Sequence, residues 1–359
     1  MEKITENAGA APETAAESMP AHLAQNAGLL CCPGCGGGLK VESGALSCLN
    51  CGHLFKCADR IALLFWPNHW DAARRDVTGI EKSFYEEHPF PNYDDADSVA
   101  TLADKARSGI FAHLLDEQVP VRASILEVGC GTGQLSNFLA SSSRSRTVFG
   151  ADLSIPSLKL GEAFRRVHQI NNLAFCQMNL FRPAFKDGSF DLVVSNGVLH
   201  HTSDPHGAFA SIARLVRPRG FIAVGLYNSL ARIPTDARRL LFNLMGDRFA
   251  FLDRRLRTPG LNAARWRAWF LDQYKNPHES KHTFGEVLRW FDSAGFEFVS
   301  SMPRTDGAEI ASAHRLFEPH PRGTALDRLA VQLRMLLGGG QDAGLFVMIG
   351  RKKNERATS

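Results

Sequence analysis

From 124 to 228 short apolar runs alternate with helix-patterned stretches, and this alternation constrains the fold more than any other feature. The runs 125–129, 148–153, 173–179, 190–196 and 221–227 have strand length, and helical stretches separate them. Strands buried on both faces read as continuous apolar runs, and helices long enough to cross back between them imply parallel pairing. Two further runs, 296–300 and 345–351, complete seven predicted strands. Between the fifth and sixth lies a long Arg-rich stretch of helical pattern, expected as a helical insertion over 229–290. At 359 residues and 44% hydrophobic, the chain supports one large α/β unit and a small satellite.

The first predicted strand runs directly into Ile125-Leu126-Glu127-Val128-Gly129-Cys130-Gly131-Thr132-Gly133-Gln134. Glycines let the main chain turn sharply and let a ligand approach the backbone, and the next helix offers free N–H groups there. A dinucleotide fingerprint requires its third glycine at position 134, which is Gln. The spacing here is Gly-x-Gly-x-Gly, with an acid two residues before the first glycine. That fits a ligand carrying a carboxylate and an ammonium rather than a pyrophosphate.

The stretch from Ser124 to Asn228 resembles the class I S-adenosylmethionine (SAM)-dependent methyltransferases, with their Rossmann-like seven-stranded sheet. The resemblance implies that Glu127 faces the methionine ammonium, and that Gly129, Gly131 and Gly133 form the floor. Asp152, with Leu153 beside it, ends the second strand, where the family's acid binds the ribose diol. A carboxylate offers two acceptors to such a pair of hydroxyls. At the third strand the family places Asp against the adenine amino group. This chain has Asn179, followed by Leu180, and the Asn carbonyl keeps an acceptor for that role. Asn196, ending the fourth strand, is expected beside the sulfonium.

Six of the eight cysteines fall between Cys31 and Cys57. Cys32-Pro33-Gly34-Cys35-Gly36 and Cys48-Leu49-Asn50-Cys51-Gly52 are two Cys-x-x-Cys knuckles, which together close a tetrahedral structural Zn2+ site. Iron in a rubredoxin-like site uses similar turns, so the spacing leaves the metal open. Cys31 and Cys57 are spare, and Cys31 competes with Cys32 as a ligand. The segment through Trp66 resembles the small zinc ribbons that partner tRNA and protein methyltransferases. It also resembles the ribbon heading bacterial large-subunit rRNA guanine methyltransferases. Loss of the metal is expected to unfold the ribbon and spare the core.

The N-terminal residues are rich in Ala and Glu and lack the basic-then-apolar order of a signal peptide, which points to a cytoplasmic protein. No apolar run is long enough to span a bilayer. The expected organisation is a disordered leader over 1–27, the zinc ribbon over 28–66, a helical cap and linker over 67–123, and the methyltransferase core from 124 to 359.

The fourth strand ends in Asn196-Gly197-Val198-Leu199-His200-His201-Thr202, which resembles the loop beside the transferable methyl in small-molecule and quinone-type methyltransferases. His201 is the candidate general base, since a histidine titrates near neutrality. His200 reads more as a packing residue. Phe84, Tyr85, Phe90 and Tyr93 are placed to fold over the cofactor. The expected function is methyl transfer to a small or lipid-like acceptor; a non-catalytic SAM-binding scaffold using the ribbon to hold a partner is the alternative, and the intact glycines and Asp152 argue against it. The Arg-rich insertion and the ribbon keep RNA open as a partner, although the loop lacks the Asn-Pro-Pro-Tyr pattern of enzymes that methylate exocyclic amines.

Overall fold

The computed structural model describes residues 19–70, 75–91, 93, 97–253, 255–257, 263–310, 314–338 and 344–354, without the side chains of Arg255 and Ala264. Seven strands form the body of the main sheet. These are β6 (Ser124–Val128), β7 (Thr147–Asp152), β8 (Leu173–Gln177), β9 (Phe190–Asn196), β10 (Val216–Tyr227), β11 (Phe296–Met302) and β12 (Leu345–Lys352). Five smaller strands precede them: β1 (Leu39–Glu42), β2 (Ala45–Cys48), β3 (Leu54–Phe55), β4 (Cys57–Ala58) and β5 (Ile61–Leu63). The large sheet has the order β11-β12-β10-β9-β6-β7-β8-β5-β4, and β1-β2-β3 form a separate small sheet.

All seven expected strands are present, and two strands from the cysteine-rich segment extend the sheet beyond them. β5 pairs parallel to β8, with Ala62 opposite Cys176 and Leu63 opposite Gln177. An edge strand exposes unpaired backbone groups, and here the N-terminal segment covers that edge. β6 to β10 are mutually parallel where paired, and β12 runs antiparallel to both β10 and β11. Strand order reverses between β6 and β9, because β7 and β8 lie on one side of β6 while β9 and β10 lie on the other. Open α/β sheets bind ligands in the crevice at such a reversal, beyond the carboxyl ends of the strands.

Residue alternation in β6 sets the geometry of that crevice. Leu126 and Val128 enter one core layer with Phe149, Phe185 and Phe190. Ile125 enters the opposite layer with Leu139, Leu158 and Phe175. Glu127 shares the face of Ile125, which brings its carboxyl under the helix Gln134–Ser142.

The ribbon is not a separate satellite. Cys32, Leu39, Leu46, Cys48 and Phe55 belong to the same buried cluster as Leu126, Phe149 and Phe190. The expected disordered leader is also corrected over part of its length. Residues 1–18 lie outside the described residues, but Ala21–Gln25 is a helix, with Leu23 fully buried and Met19 nearly so. The Ala- and Glu-rich composition hid a short apolar anchor whose burial contributes more than local polarity opposes, about 1.5–3 kcal/mol for one leucine.

The insertion after β10 contains helices Ile233–Met245 and Ala263–Tyr274, joined through short 3-10 turns. It has its own core of Phe242, Leu256, Phe270 and Tyr274. No helix among the described residues is long and apolar enough to cross a membrane.

Candidate functional site

β6 hands the chain to a tight loop in which Gly129, Gly131 and Gly133 have φ of 72°, 54° and 71°. Side chains are strained in this region, and the surroundings leave no room for them either. A Cβ on Gly129 would stand 2.4 Å from Val198, and one on Gly131 would stand 2.3 Å from the Phe90 carbonyl oxygen. A Cβ on Gly133 would meet the Phe175 ring at 2.5 Å, so this glycine fits helix to strand behind the site. Tyr85, Phe90 and Pro91 fold over the loop: the Thr132 hydroxyl donates to the Pro91 carbonyl, and Ser154 donates to the Tyr85 carbonyl at 2.9 Å.

A cavity of about 430 Å³ lies between this loop and its cover. The strand ends contribute Glu127, Gly129, Gly131, Asp152, Leu153, Leu180 and Asn196 to its lining. The covering segments contribute Glu81, Tyr85, Trp269, Asp272 and Gln273, while His201 and Tyr227 stand between. Gly225 makes room for Asn196, since a Cβ there would collide with its Oδ1.

Asp152 Oδ2 accepts from the Gly131 N–H at 2.8 Å, and Oδ1 accepts from the Ser154 N–H at 2.9 Å. Burial raises its pKa, and these backbone donors oppose the shift. Each oxygen keeps a second lone pair for a ligand. Glu127 accepts from the Ser136 hydroxyl, and burial pushes its carboxyl up to about 7 against that bond. Two acids and a glycine cradle without Cβ atoms fit an aminoacyl and ribosyl ligand such as SAM.

His201 Nδ1 lies 2.8 Å from the His278 carbonyl oxygen. A carbonyl only accepts, so Nδ1 carries the proton and Nε2 of the neutral ring is left basic. Burial holds the ring neutral, with a pKa below the ordinary 6.5, while the nearby Asp272 carboxylate opposes the shift. His200 is fully buried against the Tyr227 ring, centroids 4.1 Å apart, and neither of its ring nitrogens has a hydrogen-bond partner. It is a packing residue. His278 and His282 are likewise engaged in the fold, through the Thr202 carbonyl at 3.1 Å and Ser280 at 2.9 Å.

Asn179 departs from its expected position. Its Nδ2 donates to the Trp66 carbonyl at 2.9 Å and to Asn68 Oδ1 at 2.8 Å, and its Oδ1 accepts from the Phe181 N–H at 3.1 Å. Met178 and Leu180 line the cavity; Asn179 does not. The linker leaving the ribbon occupies the amide that was expected to read adenine. Sequence adjacency gave no sign that residues 66–68 return to the end of β8.

Glu81, Asp272 and Gln273 were absent from the sequence-derived candidates. Each is one polar residue on an otherwise ordinary helix, and only the fold brings them together. The Tyr85 hydroxyl donates to Asp272 Oδ1 at 3.0 Å, and Gln273 Nε2 donates to the Tyr227 hydroxyl oxygen at 2.7 Å. Arg232, fully buried, donates to both oxygens of Glu279 at 2.8 and 2.6 Å and lies 3.7 Å over the Tyr227 ring.

Residues 126–224 match the model of a methyltransferase domain family. The chain carries a class I SAM-dependent methyltransferase domain. The chain is 26% identical, over 51% of its length and 49% of the relative, to an uncharacterized protein of Synechococcus. A release factor glutamine methyltransferase of Aliivibrio fischeri is 34% identical over 26% of the chain and 32% of the relative. A probable tocopherol O-methyltransferase of Oryza sativa is 27% identical over 42% of the chain and 43% of the relative. The chain thus spans about half or less of the length of these curated relatives.

Beside the methyltransferase domain, the Sγ atoms of Cys32, Cys35, Cys48 and Cys51 lie within 4.8 Å of one another. The Cys32–Cys51 and Cys35–Cys48 pairs stand 3.8 and 3.5 Å apart. Four thiolates about 2.3 Å from a common ion would have similar separations, so the set fits a tetrahedral metal. The N–H groups of Asn50 and Cys51 point at Cys48 Sγ at 3.4 and 3.5 Å, which favours a thiolate there. Cys31 does not compete: its backbone N–H pairs with the Ala184 carbonyl, and its sulfur faces Pro183. Trp66 packs on this cluster at Gly34, where a Cβ would lie 2.7 Å from the indole.

Proposed function

We propose that the protein transfers the methyl group of SAM to a small-molecule acceptor bound under the helical cover, with His201 taking the acceptor's proton. When bound, SAM supplies an electrophilic methyl carbon. Glu127, Asp152 and the backbone at Gly129 and Gly131 hold it, with Leu153 and Leu180 at the cavity wall. Asn196 stands at the end of β9 and lines the same cavity as His201. The observation that carries the reading is the common cavity of Asp152, Glu127 and His201, the last with Nδ1 tied to a carbonyl and Nε2 left as a base. The cavity's volume of about 430 Å³ favours a small acceptor, as does the likeness to a relative named as an O-methyltransferase. The cysteine cluster is assigned to structural zinc. Incubation with labelled SAM and fractionated small-molecule, RNA and protein pools tests the proposal. Label is expected in the small-molecule pool, and label confined to RNA or protein refutes it.

A further inference from the structure

We infer that the acceptor is an uncharged molecule presenting a hydroxyl, and that Glu81, the buried carboxyl in the cavity wall, is the group that recognises it. This rests on the proposed methyl transfer at the same cavity and names its substrate class.

Glu81 sits on the helix Thr78–Glu87, is 4% exposed and lines the cavity. Its Oε2 meets the Asn276 amide at 3.4 Å, the His278 N–H also lies near the carboxyl, and its Oε1 makes no hydrogen bond. A buried carboxyl with so few partners is costly, so a ligand that pairs with it gains accordingly. None of the described residues lining the cavity is Lys or Arg. Arg232, buried behind the Tyr227 ring, is held by both oxygens of Glu279, and Arg239 adds a second cation to that carboxylate at 3.1 Å.

No lining side chain would supply a counter-charge to a carboxylate or phosphate on the acceptor, which would lie buried beside Glu81 and Asp272, and this opposes its binding. Burial without a cationic partner also keeps Glu81 protonated, its pKa pushed up to about 8, with the Asn276 amide and His278 N–H offsetting only part of the shift. A protonated carboxyl both donates and accepts, which matches a hydroxyl. In the reaction the acceptor oxygen forms a bond to the methyl carbon as the carbon–sulfur bond breaks. The sulfur keeps that electron pair as a neutral thioether, and the hydroxyl proton passes to His201 Nε2 and then to solvent.

The test uses the full chain and three probes of one shape: 2-phenylethanol, phenethylamine and 3-phenylpropionate. S-adenosylhomocysteine is titrated first by calorimetry; its failure to bind would refute the methyltransferase reading itself. Each probe is then titrated into the protein saturated with that product. The alcohol is expected to bind tightest, and Glu81→Gln, which keeps a neutral donor and acceptor, to hold within about threefold of the wild-type affinity. Glu81→Leu should lose about tenfold, the scale of one hydrogen bond, while still binding S-adenosylhomocysteine. Preferential binding of the amine or the acid overturns the inference. So does an alcohol affinity unchanged in Glu81→Leu, or binding of none of the three.

Discussion

At residue scale the roles divide by which hydrogen bonds are already made. Asp152 is tied by two backbone N–H groups that hold its carboxyl toward the cavity, and each oxygen still has a lone pair. Asp152→Ala is expected to weaken SAM binding by about 2 kcal/mol, the scale of a lost hydrogen bond to a charged group. Calorimetry on the folded variant measures this. For His201 the sign follows from burial: its pKa lies below 6.5, so the ring is a competent base at neutral pH and loses that capacity only on acidification. The transfer rate should therefore rise with pH through a titration below 6.5 and level off above it. His201→Ala should flatten the profile and slow transfer by about a hundredfold or more. A variant retaining both rate and profile would mean that alignment alone drives transfer. The same lowered pKa affects stability. The unfolded chain takes up a proton near 6.5 that the folded histidine refuses, so His200 and His201 lower stability as pH falls below that value.

At element scale the decisive feature is the pairing of β5 with β8. It makes the cysteine-rich segment part of the main sheet, and the linker that follows reaches the end of β8 through Trp66, Asn68 and Asn179. The expectation that losing the metal spares the core is therefore revised. Without an ion the four sulfurs lose the bonds that tie the two knuckles together, and Cys32, Cys48, Leu46 and Phe55 share one buried cluster with Phe149 and Phe190. A strong chelator should lower the thermal midpoint of the whole protein in a single transition and weaken SAM binding in parallel. Elemental analysis should return one metal ion per chain before treatment. Two separate transitions, with SAM affinity intact, would restore the picture of an independent module.

At the scale of the whole molecule, three arginines of the Arg-rich insertion turn inward, while Arg248, Arg257 and Arg267 stay exposed. Arg232 and Arg239 pair with Glu279, and Arg265 pairs with Asp97 at 3.0 Å. These pairs tie parts of the cover to one another, with Arg232 buried completely. A charge held in such a pair has little left for phosphate, and the formal net charge of the chain is only +4. Bulk RNA is therefore expected to show no tight binding at low salt. Filter binding across a salt series checks this, since each phosphate contact would add to a steep decline with salt. Tight, salt-sensitive binding would favour RNA as the acceptor.

The features legible from sequence are those whose physics is local. A glycine loop after a buried strand, or two cysteines three residues apart, needs only its neighbours to define a shape, and both stand where the pattern placed them. The seven strands were legible too, because apolar periodicity reports burial directly. What the tertiary structure alone decided depends on segments far apart in the chain. Asn276 reaches Glu81 across 195 positions, and Tyr85 reaches Asp272 across 187. Neither contact leaves a local mark, since a single acid on a helix looks the same whether it faces water or a cavity. Asn179 shows the converse: its local context suggested a ligand contact, and a linker from more than a hundred residues earlier took its amide instead. Local geometry follows from adjacent residues, whereas the partner of a buried polar group is settled only when the whole chain has folded around it.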